Sequence, residues 1–252
     1  MLTEEQKKEV KKAISNELKR ADNDWAKVGK HFSKSFSLEE SYTLDSAPSN
    51  IPMHPLVSIN EPIVDEFIAL VVDMRNSSEH LKTEINSNKI QHGFQRIFFE
   101  TSALLPAISV VTSFENGQVT EYLGDGALVL FHVNPDNKNE SIHHAWRAAR
   151  NCVTDMIDLI NNELYSRYSL PPIAIGAGLA MSKAVVTLVG SEGKYHPKAI
   201  GECVWEATKL SGGTNKVFIS SNMKAQWPKS PGGKLTFSPT EMKGIKCYTS
   251  NT

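Results

Sequence analysis

The segment FIALVVDM, residues 67–74, constrains the fold most, because an unbroken apolar run ends abruptly at an acid, Asp73. A short run without polar interruption is typical of a strand that is covered on both faces. Asn76 with Glu79 three residues later resembles a capping box, which marks the start of a helix. We therefore predict a buried strand that leads directly into a helical stretch, which continues with interruptions to about Ser113.

The patterns after this stretch predict, in order, two strands, a long helix and further short elements. These are strands in residues 119–133 that meet at Gly124-Asp125-Gly126, a helix from about Ser141 to Tyr168, strands at 171–181 and 184–190, a helix at 202–210, and strands at 216–220, 234–237 and 246–249. From Phe67 to Gly190 this order predicts an α+β fold with a ferredoxin-like βαββαβ core, in which helices cover one face of an antiparallel sheet.

The N-terminal part differs in composition from the rest of the chain. Residues 1–30 predict an amphipathic helix, with Val10, Ile14 and Leu18 on one face. The Ser- and Pro-rich segment at 31–55 predicts a linker or an arm that packs without regular structure. We therefore predict a helix and linker arm at 1–58 and a main domain at 59–252.

Composition and charge restrict the possible partners and the compartment. The chain of 252 residues has a formal net charge of −1, which gives no argument for nucleic acid or an anionic membrane as partner. Its three widely spaced cysteines fit a reducing compartment. The N-terminus lacks an apolar signal core, and no apolar stretch approaches the roughly 20 residues that span a bilayer. We expect a cytoplasmic protein without a nucleic-acid or membrane partner.

Two acids, Asp73 and Asp125, stand at the end of the first predicted strand and at the tip of the hairpin. These strands are neighbours in a βαββαβ core, so both acids are expected at one edge of the sheet. Alone, each has a structural alternative, a helix cap for Asp73 and a turn for Asp125. Together they predict a site for Mg²⁺ or Mn²⁺, since close carboxylates need a cation between them and oxygen ligands suit these ions. Two such ions clamp a phosphate for in-line displacement.

Four stretches of the sequence resemble class III nucleotidyl cyclases, over about Phe67 to Tyr248. They are FIALVVDMRNSSEHL, YLGDGALVLF, IAIGAGLAMSKAVVTLVGSEGKYHPKAIGECVWEATKLSG and MKGIKCY. The DMRNSS form of the first stretch is most similar to the bacterial pyrimidine cyclases of Pycsar anti-phage defence. The resemblance implies that residues 59–252 are a catalytic domain, which forms a head-to-tail homodimer with active sites at the subunit interface.

The resemblance also implies roles for particular residues. The metal ligands would be Asp73, Asp125 and the carbonyl of Met74, and the triphosphate would contact Asn76, Ser77, Ser78 and Lys243. Two positions depart from the family. Trp205 stands where the family has an Asn that orients the substrate, and Lys209 where it has an Arg that stabilises the transition state. Lysine keeps the charge but loses the planar fork, and Trp205 either fills a gap in the interface or stacks on the base.

Glu121 and Lys198 occupy the positions at which adenylate cyclases select the base, with the charges exchanged. A carboxylate accepts and an ammonium donates, which matches N3–H beside O4 of uracil or N1–H beside O6 of guanine. The alternative is that the two residues are solvated or form a salt bridge with each other. The pair disfavours ATP and, more weakly, CTP, so that UTP is the preferred substrate.

The sequence thus predicts an enzyme that converts UTP to 3′,5′-cyclic UMP and pyrophosphate with two divalent metals, for a separate cyclic-nucleotide effector. A cytidylate or guanylate cyclase is the alternative within the family. A catalytically degenerate, cyclase-like binding module is the alternative outside enzymes, because of Trp205 and Lys209. A diguanylate cyclase is disfavoured, since its Gly-Gly-Asp/Glu-Glu-Phe signature is absent from the sequence.

Overall fold

A computed structural model of the protein describes residues 1–28, 46–58, 61–82, 89–90, 92–191, 194–229 and 235–250. The helices of these ranges are α1 Glu4–Val28, α2 Ser77–Lys82, α3 Gly93–Ser113, α4 Lys138–Asn151, α5 Ile157–Tyr168, α6 Glu202–Leu210 and α7 Ser221–Ala225. The strands are β1 Ser46–Ile51, β2 His54–Ser58, β3 Ile63–Met74, β4 Gln118–Tyr122, β5 Gly126–His132, β6 Ile175–Ser191, β7 Lys194–Gly201, β8 Lys216–Ser220, β9 Phe237–Met242 and β10 Ile245–Ser250.

The main sheet has the strand order β4-β5-β3-β6-β8-β10-β9, and β7 pairs with β6 outside this path. Strand β3 lies between β5 and β6 and is antiparallel to both. Together with α2 and α3, and with α4 and α5, these strands form the βαββαβ unit. The predicted α+β fold with a ferredoxin-like core is therefore confirmed.

The apolar run of β3 contributes to a core on each face of the sheet. Ile68, Leu70 and Val72 belong to a cluster with buried residues of α3, α4 and α5. The alternate residues Phe67 and Val71 face the other way, into a cluster with residues of α6 and the β1–β2 hairpin. The uninterrupted run is thus explained, since successive side chains of a strand point to opposite faces.

The N-terminal arm packs on both faces of the sheet. Helix α1 buries Val10, Ile14 and Leu18 in the helix-side core, as its sequence pattern predicts. On the opposite face, residues predicted to lack regular structure form the β1–β2 hairpin, which corrects that prediction. Both strands of a two-stranded sheet are edge strands, where proline is tolerated. Residues 29–45 lie outside the described ranges, and the division at residue 58 stays a prediction.

Several further elements differ from the prediction, among them α7, which was not predicted, and β9, which is Phe237–Met242 where a strand at 234–237 was predicted. The two strands predicted at 171–181 and 184–190 are one strand, β6, of 17 residues. Strand β7 was not predicted, and it returns antiparallel along the second half of β6. A π-helical turn, Cys152–Met156, divides the predicted long helix into α4 and α5.

Helix α3 is long and apolar enough to cross a membrane by length and composition, which the sequence analysis did not anticipate. Half of its most apolar stretch is buried inside the protein. Its buried residues include Phe99, Leu104 and Ile108, which belong to the helix-side core. In this structure α3 is the central helix of that core.

Candidate active site at one edge of the sheet

Asp73 and Asp125 lie beside each other where β3 ends. Asp73 pairs across the ladder with Gly126, and the Met74 amide donates a 3.1 Å hydrogen bond to the carbonyl of Asp125. Gly126 permits this close approach, because a Cβ there would lie 2.3 Å from the carbonyl oxygen of Val72. The structure therefore brings together the two acids that the sequence predicts as neighbours.

The electrostatics of this edge favour a bound cation. Burial raises the pKa of Asp73 and the charge of Asp125 raises it further, while the charges of Arg75 and Lys243 oppose the rise. The cost of ionising Asp73 arises from lost water and from a like charge, and a cation between the carboxylates offsets both.

The donor set at this edge fits Mg²⁺ or Mn²⁺ that keeps part of its hydration. Among the described residues, no group of three or more His, Cys, Asp or Glu side chains is placed to hold a metal ion. The side-chain ligands would therefore be the two carboxylates alone. Mg²⁺ in nucleotide sites is usually held in this way, by one or two carboxylates with water and substrate phosphates as the other ligands. The carbonyl of Met74 stays a predicted ligand.

The turn between β3 and α2 places Ser77 and Ser78 next to Asp125. Asn76 has a left-handed backbone with φ of 59°, and its carbonyl accepts from the amides of Glu79 and His80. The Ser77 hydroxyl donates to Oδ2 of Asp125. Ser77, Ser78 and Asp125 line a cavity of about 380 Å³, whose other walls are apolar side chains of α2 and α3 together with Thr101 and Gly124.

A buried ionic network joins α2 to α3. The sequence analysis did not predict it. Glu100 of α3 is fully buried, and it binds Nε of Arg96 at 2.6 Å and Nδ1 of His80 at 2.9 Å. Because His80 belongs to α2, the network fixes the helix that carries Ser77 and Ser78. The sequence signal was an acid within the apolar pattern of the helix at 93–113.

Arg75 and Lys243 supply positive charge to Asp73. Nη2 of Arg75 donates to Oδ2 of Asp73, a contact to which the sequence analysis assigned no role. Lys243 lies in the turn between β9 and β10 with φ of 48°, and its charge acts on the same acid. The predicted phosphate residue is thus close enough to Asp73 to affect its pKa.

Glu121 and Lys198 form an ion pair between β4 and β7, with Nζ of Lys198 2.6 Å from Oε2 of Glu121. This contact is the salt bridge that the sequence analysis kept as an alternative. Both side chains are about a third exposed, so each remains accessible to a ligand. The structure brings the two predicted base-selecting residues to one place, and their role with a base stays a prediction.

Trp205 and Lys209 lie on α6, where Nζ of Lys209 is 6.0 Å from the centre of the Trp205 ring. Trp205 is 56% exposed, so it fills no gap within this protomer. Of the predicted site residues, the structure gathers Asp73, Asp125, Ser77 and Lys243 at one edge. It places the pair on α6 with the Trp ring facing solvent.

The comparisons with known proteins agree with this architecture. No family model and no curated protein matches the chain. Among solved structures it is similar to the guanylyl cyclase Cya2, with 18% identity and a TM-score of 0.61 over 75% of this chain and 92% of that one. It is also similar to the adenylyl cyclase CyaB from P. aeruginosa, with 15% identity and a TM-score of 0.61 over 76% and 96%.

A third similar structure is the guanylate cyclase domain of RhGC from Catenaria anguillulae in complex with GTP. Its identity is 15% and its TM-score 0.54, over 76% of this chain and 98% of that one. At such identities the likeness concerns the fold. The chain therefore has the fold of class III nucleotidyl cyclase catalytic domains.

Proposed function

We propose that the protein is a nucleotidyl cyclase that converts a nucleoside triphosphate, preferably UTP, to the 3′,5′-cyclic monophosphate and pyrophosphate. The observation that carries the proposal is the juxtaposition of Asp73 and Asp125 at the end of β3, on a fold shared with guanylyl and adenylyl cyclases. A module that bound no metal would have no reason to keep two carboxylates that destabilise each other.

The residues at this edge would have separate roles in binding metal ions and the triphosphate. Asp73, Asp125 and the Met74 carbonyl would hold two Mg²⁺ or Mn²⁺ ions, which when bound lower the pKa of the 3′-hydroxyl and neutralise the α-phosphate. Asn76, Ser77 and Ser78 would contact the triphosphate. Lys243, whose charge already acts on Asp73, would stabilise the negative charge that develops on pyrophosphate.

The active enzyme is proposed to be a head-to-tail homodimer with interfacial sites. Exposed apolar side chains support this proposal, because single-protomer burial does not account for them. They occur on the hairpin tip, on β7 and on α6, and comprise Tyr122, Leu123, Ile200 and Trp205. In such a dimer Trp205 and Lys209 of one subunit would complete the metal site of the other.

The choice of UTP rests on the Glu121–Lys198 pair. The acceptor Glu121 and the donor Lys198 lie 2.6 Å apart. A uracil edge would bridge them, with N3–H donating to Glu121 and O4 accepting from Lys198. GTP presents the same order of groups, and CTP the reverse. Cytidylate and guanylate cyclases are therefore the alternatives within the proposal.

The biological setting is proposed from the sequence resemblance alone. The DMRNSS motif resembles pyrimidine cyclases of anti-phage defence, which implies a cytoplasmic enzyme whose product is bound by a separate effector.

A non-catalytic binding module is the second candidate, favoured by one observation. Trp205 stands at the family's Asn position and is exposed, so its side chain is free to bind a ligand without taking part in catalysis.

The test is to incubate the purified protein with Mn²⁺ and each of the four ribonucleoside triphosphates separately, and to identify the products by mass. Cyclic UMP as the main product supports the proposal. Cyclic CMP as the main product would keep the reaction and refute the base assignment. No cyclic product from any nucleotide would favour the binding module.

A further inference from the structure

Among the described residues, Arg75 is the one basic side chain that forms an ion pair with either of the two acids, and its guanidinium keeps a buried donor without an acceptor. Nη2 donates to Asp73, whereas the buried Nε has no hydrogen-bond partner within the described ranges. Among the buried side-chain polar atoms of these ranges, Asn151 Oδ1 alone shares that condition. A buried donor without an acceptor is unfavourable, so a ligand oxygen that reached Nε would be stabilised.

The backbone places Arg75 directly after the end of β3, where its side chain contacts Asp73. The Arg75 amide donates a 2.8 Å hydrogen bond to the carbonyl of Ala174. The next residue, Asn76, adopts the left-handed conformation that turns the chain into α2. Arg75 is therefore anchored between β3 and α2, and its side chain is only 19% exposed.

We propose that Arg75 exchanges partners when substrate binds, from Asp73 in the nucleotide-free protein to phosphate oxygens of the nucleoside triphosphate. This inference rests on the proposed function. A metal ion bound by Asp73 competes with the guanidinium for the same carboxylate, because both are cations at one acceptor. Once released, the planar fork matches two phosphate oxygens, with Nε as one of its donors.

Arg75 would supply the planar guanidinium that α6 lacks, because Lys209 stands at the family's Arg position. Lys209 keeps the positive charge of the family's Arg position but cannot bind two phosphate oxygens with a rigid fork. Arg75 lies in the same protomer as Asp73, so its phosphate contacts would come from the metal-binding subunit. The contact also stabilises the nucleotide-free protein, since the guanidinium offsets the charge of the partly buried Asp73.

The test compares Arg75→Gln and Arg75→Lys with the control Arg147→Gln, which removes an Arg from the remote ion pair with Glu115. Mn²⁺ binding to the nucleotide-free protein is measured by electron paramagnetic resonance. Affinity for 3′-deoxyuridine triphosphate, which cannot cyclise, is measured by calorimetry with Mn²⁺ present. Thermal unfolding is recorded for each variant.

Arg75→Gln is expected to bind Mn²⁺ about tenfold more tightly, because a competing cation beside Asp73 is gone. The same variant is expected to bind the nucleotide analogue about tenfold more weakly and to turn over about 10²-fold more slowly. Arg75→Lys should lie between Arg75→Gln and wild type in nucleotide affinity. A purely structural ion pair would instead weaken Mn²⁺ and nucleotide binding together with stability, or change neither, and either result would overturn the inference. A wild type without turnover would refute the proposed function, whereas the two binding measurements would still decide the role of Arg75.

Discussion

Nζ of Lys198 lies 2.6 Å from Oε2 of Glu121, although the two residues belong to strands that do not pair with each other. If this pair selects the base, exchanging its charges should exchange the preferred donor and acceptor pattern. The double variant Glu121→Lys/Lys198→Asp is therefore expected to lower the preference for UTP over ATP by at least about 10²-fold. The measurement is kcat/KM for both nucleotides.

A matched control exists between β3 and α4. Lys138 and Glu66 form an ion pair of 2.9 Å with similar exposure. The variant Glu66→Lys/Lys138→Asp should leave the ratio of UTP to ATP unchanged. Equal ratios in both double variants would show that Glu121 and Lys198 form an ordinary surface salt bridge.

A second prediction concerns the subunits that contribute to one site. In the proposed dimer, Asp125 of one subunit and Lys209 of the other act together. Asp125→Asn and Lys209→Gln homodimers should each be strongly impaired. Mixing them after unfolding and refolding should restore up to about a quarter of wild-type turnover, since each mixed dimer regains one intact site.

The control mixes two variants whose substitutions lie in the same half of a site. Asp125→Asn mixed with Asp73→Asn should restore nothing, because both residues belong to the same half of a site. Recovery in that mixture, or none in the mixture with Lys209→Gln, would contradict the interfacial arrangement.

A third prediction compares two clusters of the same composition. Glu100 binds Arg96 and His80 in the core, and Glu115 binds Arg147 and His144 near the surface. Glu100→Gln should lower the free energy of unfolding by about 3–5 kcal/mol, because Arg96 loses its buried counter-charge. Glu115→Gln should cost at most about 1 kcal/mol, because solvent screens Arg147. Urea unfolding measures both, and similar losses would contradict the structural account of α2.

A fourth prediction concerns the opposite end of β3, where Asp65 lies between two histidines. Its Oδ2 is 2.9 Å from Nε2 of His54 and 3.1 Å from Nε2 of His132. Burial raises the pKa of Asp65, but hydrogen bonds from His54 and the Glu66 amide, with the charge of His132, outweigh burial and lower it below 3.8.

The sign of the pH dependence follows from that lowered value. A carboxylate with a depressed pKa in the folded state stabilises the protein above its unfolded pKa, and the contribution is lost as pH falls through the folded value. Asp65→Asn should therefore be less stable than wild type at pH 7, and the difference should shrink below about pH 4. Urea unfolding at several pH values measures this difference. The exposed Asp136→Asn should show no such trend, and a constant difference for Asp65→Asn would refute the assignment.

The parts of the fold that could be predicted depend on local patterns and simple pairing rules. The apolar run before Asp73 and the glycines around Asp125 identified β3 and the hairpin. Strand adjacency in a βαββαβ unit then placed the two acids together. Each step used residues close in sequence or one topological rule, and the structure agrees with both steps.

The parts that could not be predicted depend on long-range contacts. Strand β7 contains Pro197 and polar residues, and among the described strands it pairs with β6 alone. Its sequence therefore resembles that of a loop, although an edge strand tolerates proline. Because β7 was not predicted, the sequence alone provided no geometric reason to place Lys198 beside Glu121. The contact of Arg75 with Asp73 depends on a side-chain conformation, and the spacing of apolar residues in a sequence does not predict side-chain conformations.

The most direct test of the central claim is a competition assay with all four ribonucleoside triphosphates at equal concentration and with Mn²⁺ present. Products are resolved by mass for wild type, for Asp125→Asn and for the loop control Asp136→Asn. We predict cyclic UMP as the dominant product of wild type and of Asp136→Asn, and no cyclic product from Asp125→Asn. Absence of every cyclic nucleotide from the wild-type reaction, or undiminished turnover by Asp125→Asn, would contradict the account.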